Sequence, residues 1–175
     1  MKEFQVGDDK YLCLEQYIQY KKARFFEDEE TASKILQAKS IKAFQSLGSK
    51  IKGFNAEKWG KEKYSIMRSG ICYKFAKDKD LKKKLARTGA YTLAFCGFQD
   101  KFWSCGCKET DPAIYHTSLW SGQNMYGKAL MFARDFIFKY METESCEKYL
   151  EEYRQAILDT KYYPQSFIIN RIDYD

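Results

Sequence analysis

Two groups of residues in this chain have types and spacing suited to chemistry. Glu15, Gln19 and Lys22 fall at i, i+4 and i+7, so on a helix the latter two point within about 40° of Glu15 and a carboxylate, an amide and an ammonium share one stripe. That stripe lies roughly a quarter turn from the apolar positions Leu14, Ile18 and Phe25, at the margin of a buried face. It reads either as a solvated polar face or as a carboxylate and an ammonium converging on a cleft, where partial burial tunes both pKa values. The second group runs from Thr88 to Arg134: Asp100, Trp103 and Gly106 in a polar turn region, then Gly122-Gln123-Asn124-Met125-Tyr126-Gly127 opening into an apolar helix with Leu130, Met131 and Arg134. Asn and Gly at a helix start leave backbone N–H groups open for a phosphate or carboxylate, and a tryptophan beside a carboxylate can hold a planar base or a ribose. Taken singly, Asp100 reads as a turn residue or cap, Trp103 as core and Asn124 as a helix cap. Together they have the composition of a nucleotide pocket.

The elements that must position these groups follow from periodicity. Residues 4 to 11 suit a short strand or hairpin arm, and Leu12 to Phe26 a helix. Shorter helices are expected at Glu29 to Ala38 and at Ser40 to Leu47, the second stopped by Gly48. After a turn at Gly53-Phe54-Asn55, Ala56 to Lys77 reads as a long helix carrying Trp59, Ile66, Met67, Ile71 and Phe75. The charged run from Lys77 to Lys84 leads into an amphipathic helix with its lysines toward water, ended by Thr88-Gly89. Tyr91 to Cys96 alternates as a strand does. A loop from Gly97 to Ser121, a helix from Gln123 to Met141, another from Glu144 to Leu158 and an extended tail from Tyr162 to Ile172 complete the reading. The fold class is α+β, predominantly helical, a single domain with a few short strands; no βαβ alternation supports a doubly wound sheet.

Composition bounds the chemistry. The 175 residues, 45% hydrophobic, suffice for one core, and the net charge of +6 and pI near 8.9 suit an anionic ligand or nucleic acid without demanding either. No apolar run approaches the ~20 residues of a membrane span, so no membrane association is expected. The first residues lack an apolar signal segment, which with six cysteines favours reduced thiols and a cytoplasmic, intracellular location. Cys96, Cys105, Cys107 and His116 lack the second close pair of a zinc site, and no third group orients a Cys–His nucleophile; buried, inert thiols are expected, with no metal and no cofactor. There is no Walker loop and no dinucleotide glycine fingerprint.

An ordered series of residues resembles the NADAR family (NAD- and ADP-ribose-associated, also called YbiA-like): Tyr11-x-x-x-Glu15-Gln-Tyr-x-Gln-x-x-Lys22-Ala23, Leu47-Gly48, Trp59, Lys74-Phe75, Thr88, Leu93, Asp100-x-x-Trp103-x-x-Gly106 and Gly122-x-Asn124-x-x-Gly127-x-x-Leu130-Met131-x-x-Arg134. The resemblance covers about residues 4 to 138 and implies a domain at 1–140, with 141–175 as a C-terminal helix and tail packing on the same domain. It also implies N-glycosidase chemistry, hydrolysis of a ribose C1′–nitrogen bond in an ADP-ribosylated or phosphoribosylated substrate such as ADP-ribosyl-guanine. The partner would be such a small molecule, or ADP-ribosylated nucleic acid. Carried over residue by residue, the family pattern makes Glu15, Lys22 and Asp100 catalytic and Trp59, Trp103, Gly106, Gln123 and Asn124 substrate-binding.

The chemistry makes matching demands. Breaking a C1′–N bond builds positive charge on the ribose and negative charge on the departing base, so a carboxylate near C1′ and a proton or cation near the base lower the barrier. Glu15 or Asp100 would supply the first. Lys22 would neutralise the leaving group or a phosphate, or attack C1′ to form a Schiff base, and the start of the 123–141 helix would receive the phosphate. The sequence departs from the family at three places: Leu93-Ala94-Phe95 stands for Leu-Val-Glu, Gly48-Ser49 for Gly-Arg, and Trp103-Ser104 for Trp-Gly. The family's leading Ser-Asn-Phe segment, a wall of the site, is expected to have no counterpart here. Loss of the acid at Phe95 admits an alternative: a catalytically degenerate ADP-ribose/NAD- or nucleic-acid-binding protein of the same fold. A structural or partner-binding protein using residues 142–175 as an arm, and a basic nucleic-acid binder without a pocket, are the remaining readings.

Overall fold

A computed structural model describes residues 1–140, 155 and 167–169. The described residues divide into two compact units, the first ending at Lys74 and the second beginning at Phe75. Six α-helices and two two-stranded sheets make the described residues predominantly helical α+β.

The first unit opens with an antiparallel hairpin, β1 (Phe4–Val6) and β2 (Asp9–Tyr11), in register Phe4 to Tyr11. Its turn needs φ +61° at Gly7, a conformation glycine takes without strain. Helix α1 (Leu14–Phe25) packs against α2 (Glu29–Gln37) and α3 (Ile41–Gly48). Each of the latter two begins where a side chain replaces the missing helical acceptor: Asp28 accepts from the Thr31 N–H and Ser40 from that of Ala43. The Asn55 side chain does the same for Lys58 at the start of α4 (Ala56–Lys77). The core of this unit is aromatic, with Tyr11 packed among Phe4, Tyr17 and Tyr20.

Two expectations change here. Gly48 belongs to α3 rather than stopping it, because a Cβ there would collide with the Gln19 side chain, so the glycine lets α3 approach α1. Phe25 does not continue the buried face of Leu14 and Ile18. It is 41% exposed and turns instead toward Phe26 and Trp59.

The second unit contains α5 (Lys79–Arg87), capped by Asp78, then β3 (Leu93–Phe95), two 3-10 turns at Pro112–Tyr115 and Thr117–Leu119, and α6 (Met125–Tyr140). β4 (Phe167–Ile169), the described portion of the expected tail, pairs in parallel with β3, Leu93 opposite Phe167. The lysines of α5 were expected to face water; Lys82 is buried beside Leu81, Leu85 and Ala86, since the buried face of the helix is wider than its leucines alone mark out. The expected helix at Glu144–Leu158 lies, Gln155 apart, outside the described residues, as does Cys146. Among the described residues no helix is long and apolar enough to cross a membrane.

Candidate functional site

In the first unit the expected stripe exists. Glu15 is buried, and one of its carboxylate oxygens accepts from Gln19 Nε2 at 2.9 Å. Two turns along the same face, Lys22 is partly buried. Desolvation holds its ammonium below the usual lysine range, and the charge of Glu15 pulls it some of the way back. The next residue on α1, Gln16, is also buried, but its side chain is occupied by the Leu12 N–H and the Ile35 and Leu36 carbonyls. Gln16 therefore ties α1 to α2, while Glu15 and Lys22 present charge along the adjoining stripe.

Trp59, on the first turn of α4, contacts Phe25 with ring centroids 6.2 Å apart. Phe25 packs edge-on to Phe26, Phe26 contacts Phe54, and Lys22 Nζ lies 5.5 Å from the Phe54 ring centroid. The sequence pattern singles out Trp59 and Lys22 but not these phenylalanines. Their signal is nonetheless present: Phe25 follows Lys22 by three residues, and Phe54 stands beside a glycine in a turn, where an apolar ring has no core to enter.

In the second unit the expected residues are held close together, by backbone bonds. Asp100 is exposed, and its Oδ1 accepts from the N–H groups of Phe102 and Trp103, at 3.0 and 3.1 Å. The turn it starts aims carbonyls at the beginning of α6: those of Lys101, Ser104, Phe102 and Trp103 accept from the N–H groups of Gln123, Asn124, Met125 and Tyr126 at 2.7 to 3.1 Å. The donors expected to await a phosphate are thus already engaged. Two further glycines make the approach possible, since a Cβ on Gly106 would strike Ser121 and Gly122, and one on Gly122 would strike the Ser104 carbonyl.

Asn124 is buried with φ +53°, which is why α6 starts at Met125 rather than at Gln123. Its side chain spans β3: Oδ1 accepts from the Phe95 N–H at 2.9 Å and Nδ2 donates to the Leu93 carbonyl at 2.8 Å. Gly127 allows this, because a Cβ there would overlap the Leu93 carbonyl. Arg134, further along α6, ties down the chain ahead of β3 in a similar way, its Nη1 reaching Thr88 Oγ1 and the Tyr91 carbonyl, both at 2.9 Å.

A cleft of about 340 Å³ opens beside this scaffold, lined by Thr92, Thr117, Trp120, Gln123, Lys128 and Met131 among others. Of the expected binding residues it includes Gln123 and Asn124, and not Trp103 or Gly106. Trp103 is half-buried, edge-on to Phe102 at 4.8 Å. The three neighbouring thiols sit in or against one small apolar cluster with Ala94 and Ile114, and burial pushes Cys96 up to about 12. Among the described residues no group of three or more His, Cys, Asp or Glu side chains is placed to hold a metal.

The departures from the family pattern take physical form. Phe95 packs its ring 4.8 Å from that of buried Tyr126. The Ser104 hydroxyl reaches the carbonyls of Gly97 and Asp100 and accepts from the Gly106 N–H, stitching the turn where the family has glycine.

A family model described as the NADAR domain matches residues 1–138. The chain belongs to the NADAR family. This NADAR domain is 32% identical over 136 residues to the N-glycosidase R617 of Acanthamoeba polyphaga mimivirus, a match that covers 77% of this chain and 80% of that protein. It is also 27% identical over 138 residues to the protein irg-1 of Caenorhabditis elegans, covering 78% of this chain and 65% of that one.

Proposed function

We infer that this NADAR protein is an N-glycosidase that hydrolyses a ribose C1′–nitrogen bond, with an ADP-ribosyl or phosphoribosyl adduct as substrate. The observation that carries the reading is the α1 stripe, a buried carboxylate held by Gln19 and followed by a partly desolvated ammonium. It is supported by the family and by a relative named as an N-glycosidase.

In this reading the Glu15 carboxylate faces C1′, stabilises the positive charge that grows there and accepts a proton from the attacking water. Gln19 fixes the carboxylate rotamer. Lys22 gives its proton to the departing nitrogen, and desolvation makes its ammonium a stronger acid than an exposed lysine. Water supplies the hydroxyl at C1′, and the base leaves with the nitrogen protonated. Asp100 is exposed and starts its own turn, whereas Glu15 is buried and shares its helix stripe with Lys22, so the chemistry is assigned to Glu15.

The test is turnover of ADP-ribosylated guanine in DNA and of phosphorylated ribosylaminopyrimidines, followed by release of the free base. Turnover of either that is lost in Glu15→Gln supports the reading. Absence of turnover beside measurable ADP-ribose binding favours the second reading, a binding protein of the same family, for which Phe95 packed on Tyr126 in place of an acid is the specific observation.

A further inference from the structure

The rings of Phe25, Phe26, Phe54 and Trp59 form a continuous series of contacts on the first unit, with centroids 4.9 to 6.2 Å apart. Phe25 and Phe54 are 41% and 48% exposed. Apolar rings at a surface gain less from folding than rings in a core, and here two exposed rings are backed by two half-buried ones in a continuous series. Phe54 is carried there by a turn that needs φ +67° at Gly53. Lys22 Nζ lies 5.5 Å from the Phe54 centroid, so the same small area offers flat apolar faces and a cation from the stripe that carries Glu15.

A ligand that matches both is planar, apolar on its faces and joined to an anion. A nucleobase carrying a sugar phosphate has that chemistry: the base stacks on an aromatic ring beside the ammonium, whose charge also attracts the anionic ligand as a whole. An aliphatic peptide would use the faces without the charge, and a simple phosphate the charge without the faces. We propose that Phe54 and Phe25, with Phe26 and Trp59 behind them and Lys22 at the edge, form a stacking platform for the nucleobase of a nucleotide substrate. The proposal rests on the glycosidase reading for its place in catalysis, where it would hold an unstacked base near Glu15. As a binding site it stands on the ring geometry and the position of Lys22 beside Phe54.

The experiment measures binding by calorimetry of adenosine 5′-monophosphate, guanosine 5′-monophosphate and ribose 5-phosphate, which differ only in the base. The full chain is compared with Phe54→Ala, Phe25→Ala/Phe54→Ala and Phe54→Tyr, each checked for native circular dichroism. Both nucleotides should bind more tightly than ribose 5-phosphate, by a factor of about ten or more that shrinks in Phe54→Ala, disappears in the double variant and returns in Phe54→Tyr. Ribose 5-phosphate should bind all four proteins alike. Equal affinity for all three ligands in the parent chain, no binding of any, or equal losses for all three in the variants would overturn the platform. So would a dimer that dissolves in the double variant while nucleotide affinity stays unchanged, since a second copy would then be the occupant. Because binding is read apart from turnover, the two ideas fail separately. Lost base discrimination in a chain with no hydrolysis leaves the platform standing, and hydrolysis unaffected by the double variant leaves the glycosidase standing.

Discussion

In α1, Glu15 is anchored through one oxygen to a neighbouring side chain, and Lys22 meets only charge and ring surface among the contacts described above. Between residues 100 and 127, one Asp100 oxygen, the Ser104 hydroxyl and both polar atoms of the Asn124 amide are committed to backbone partners. Both regions carry family residues of similar types, yet the first sets a buried carboxylate and a partly buried ammonium along one helix face and the second builds the wall beside a cleft. A motif residue that touches substrate and one that shapes the loop around it look alike in a sequence. They diverge only when their hydrogen bonds are counted.

The sharpest way to break this contrast is Asn124→Ala. It removes the side-chain bonds to the Phe95 N–H and the Leu93 carbonyl and puts alanine at φ +53°, so stability should fall by about 3 kcal/mol, read as a lower urea midpoint. Unchanged stability with lost ligand affinity would move Asn124 from wall to site. Glu15→Gln keeps an oxygen for the Gln19 amide, so the fold should hold while turnover drops by about a hundredfold or more. A mild effect on turnover would remove the first unit's claim to the chemistry.

Phe95→Glu restores the acid of the family pattern but sets a carboxylate against the buried Tyr126 ring, and should lower stability by about 1 to 3 kcal/mol, read as a lower urea midpoint. Unchanged stability would show that this wall accepts the family's acid as readily as a ring. The pH profile addresses Lys22. Its pKa is lowered, so the protonated form is lost in a window beginning below the ordinary lysine range. As the acid that protonates the leaving base, Lys22 makes turnover fall as pH rises through that window; as a nucleophile it would make turnover rise. The smallest effect is expected for Asp100→Asn, which keeps an acceptor for the Phe102 and Trp103 N–H groups and should change stability by no more than about 0.5 kcal/mol. A large loss of turnover in that variant would place chemistry in the second unit.

Much of the fold was legible because local rules and tertiary packing agree in it. The period of α4 gave both ends, Ala56 and Lys77, as found, and Asn55, lying in the predicted turn before it, supplies the acceptor for the Lys58 N–H. Periodicity failed where a partner elsewhere decides the matter. Lys82 has a charged side chain and a buried position, and Phe25 an apolar one and an exposed position; neither is written in the spacing of its own helix. The stripe of the candidate site was legible for the same reason as α4. The state of the α6 start was not, because the carbonyls that occupy its N–H groups come from a turn some twenty residues earlier.

The clasp on β3 has a consequence for how this protein behaves among copies of itself. An edge strand ordinarily offers a row of unpaired backbone groups to which another chain can add, and a short strand limits that row. Here the Leu93 N–H meets Met131 Sδ at 3.5 Å, the Leu93 carbonyl and the Phe95 N–H share the Asn124 amide, and the Phe95 carbonyl accepts from the Cys105 N–H, while β4 pairs with the strand as well. Side chains and one loop amide do the work of a neighbouring strand but, unlike a strand, present no further edge of their own. The asparagine of the family motif therefore closes one side of β3 to a further strand.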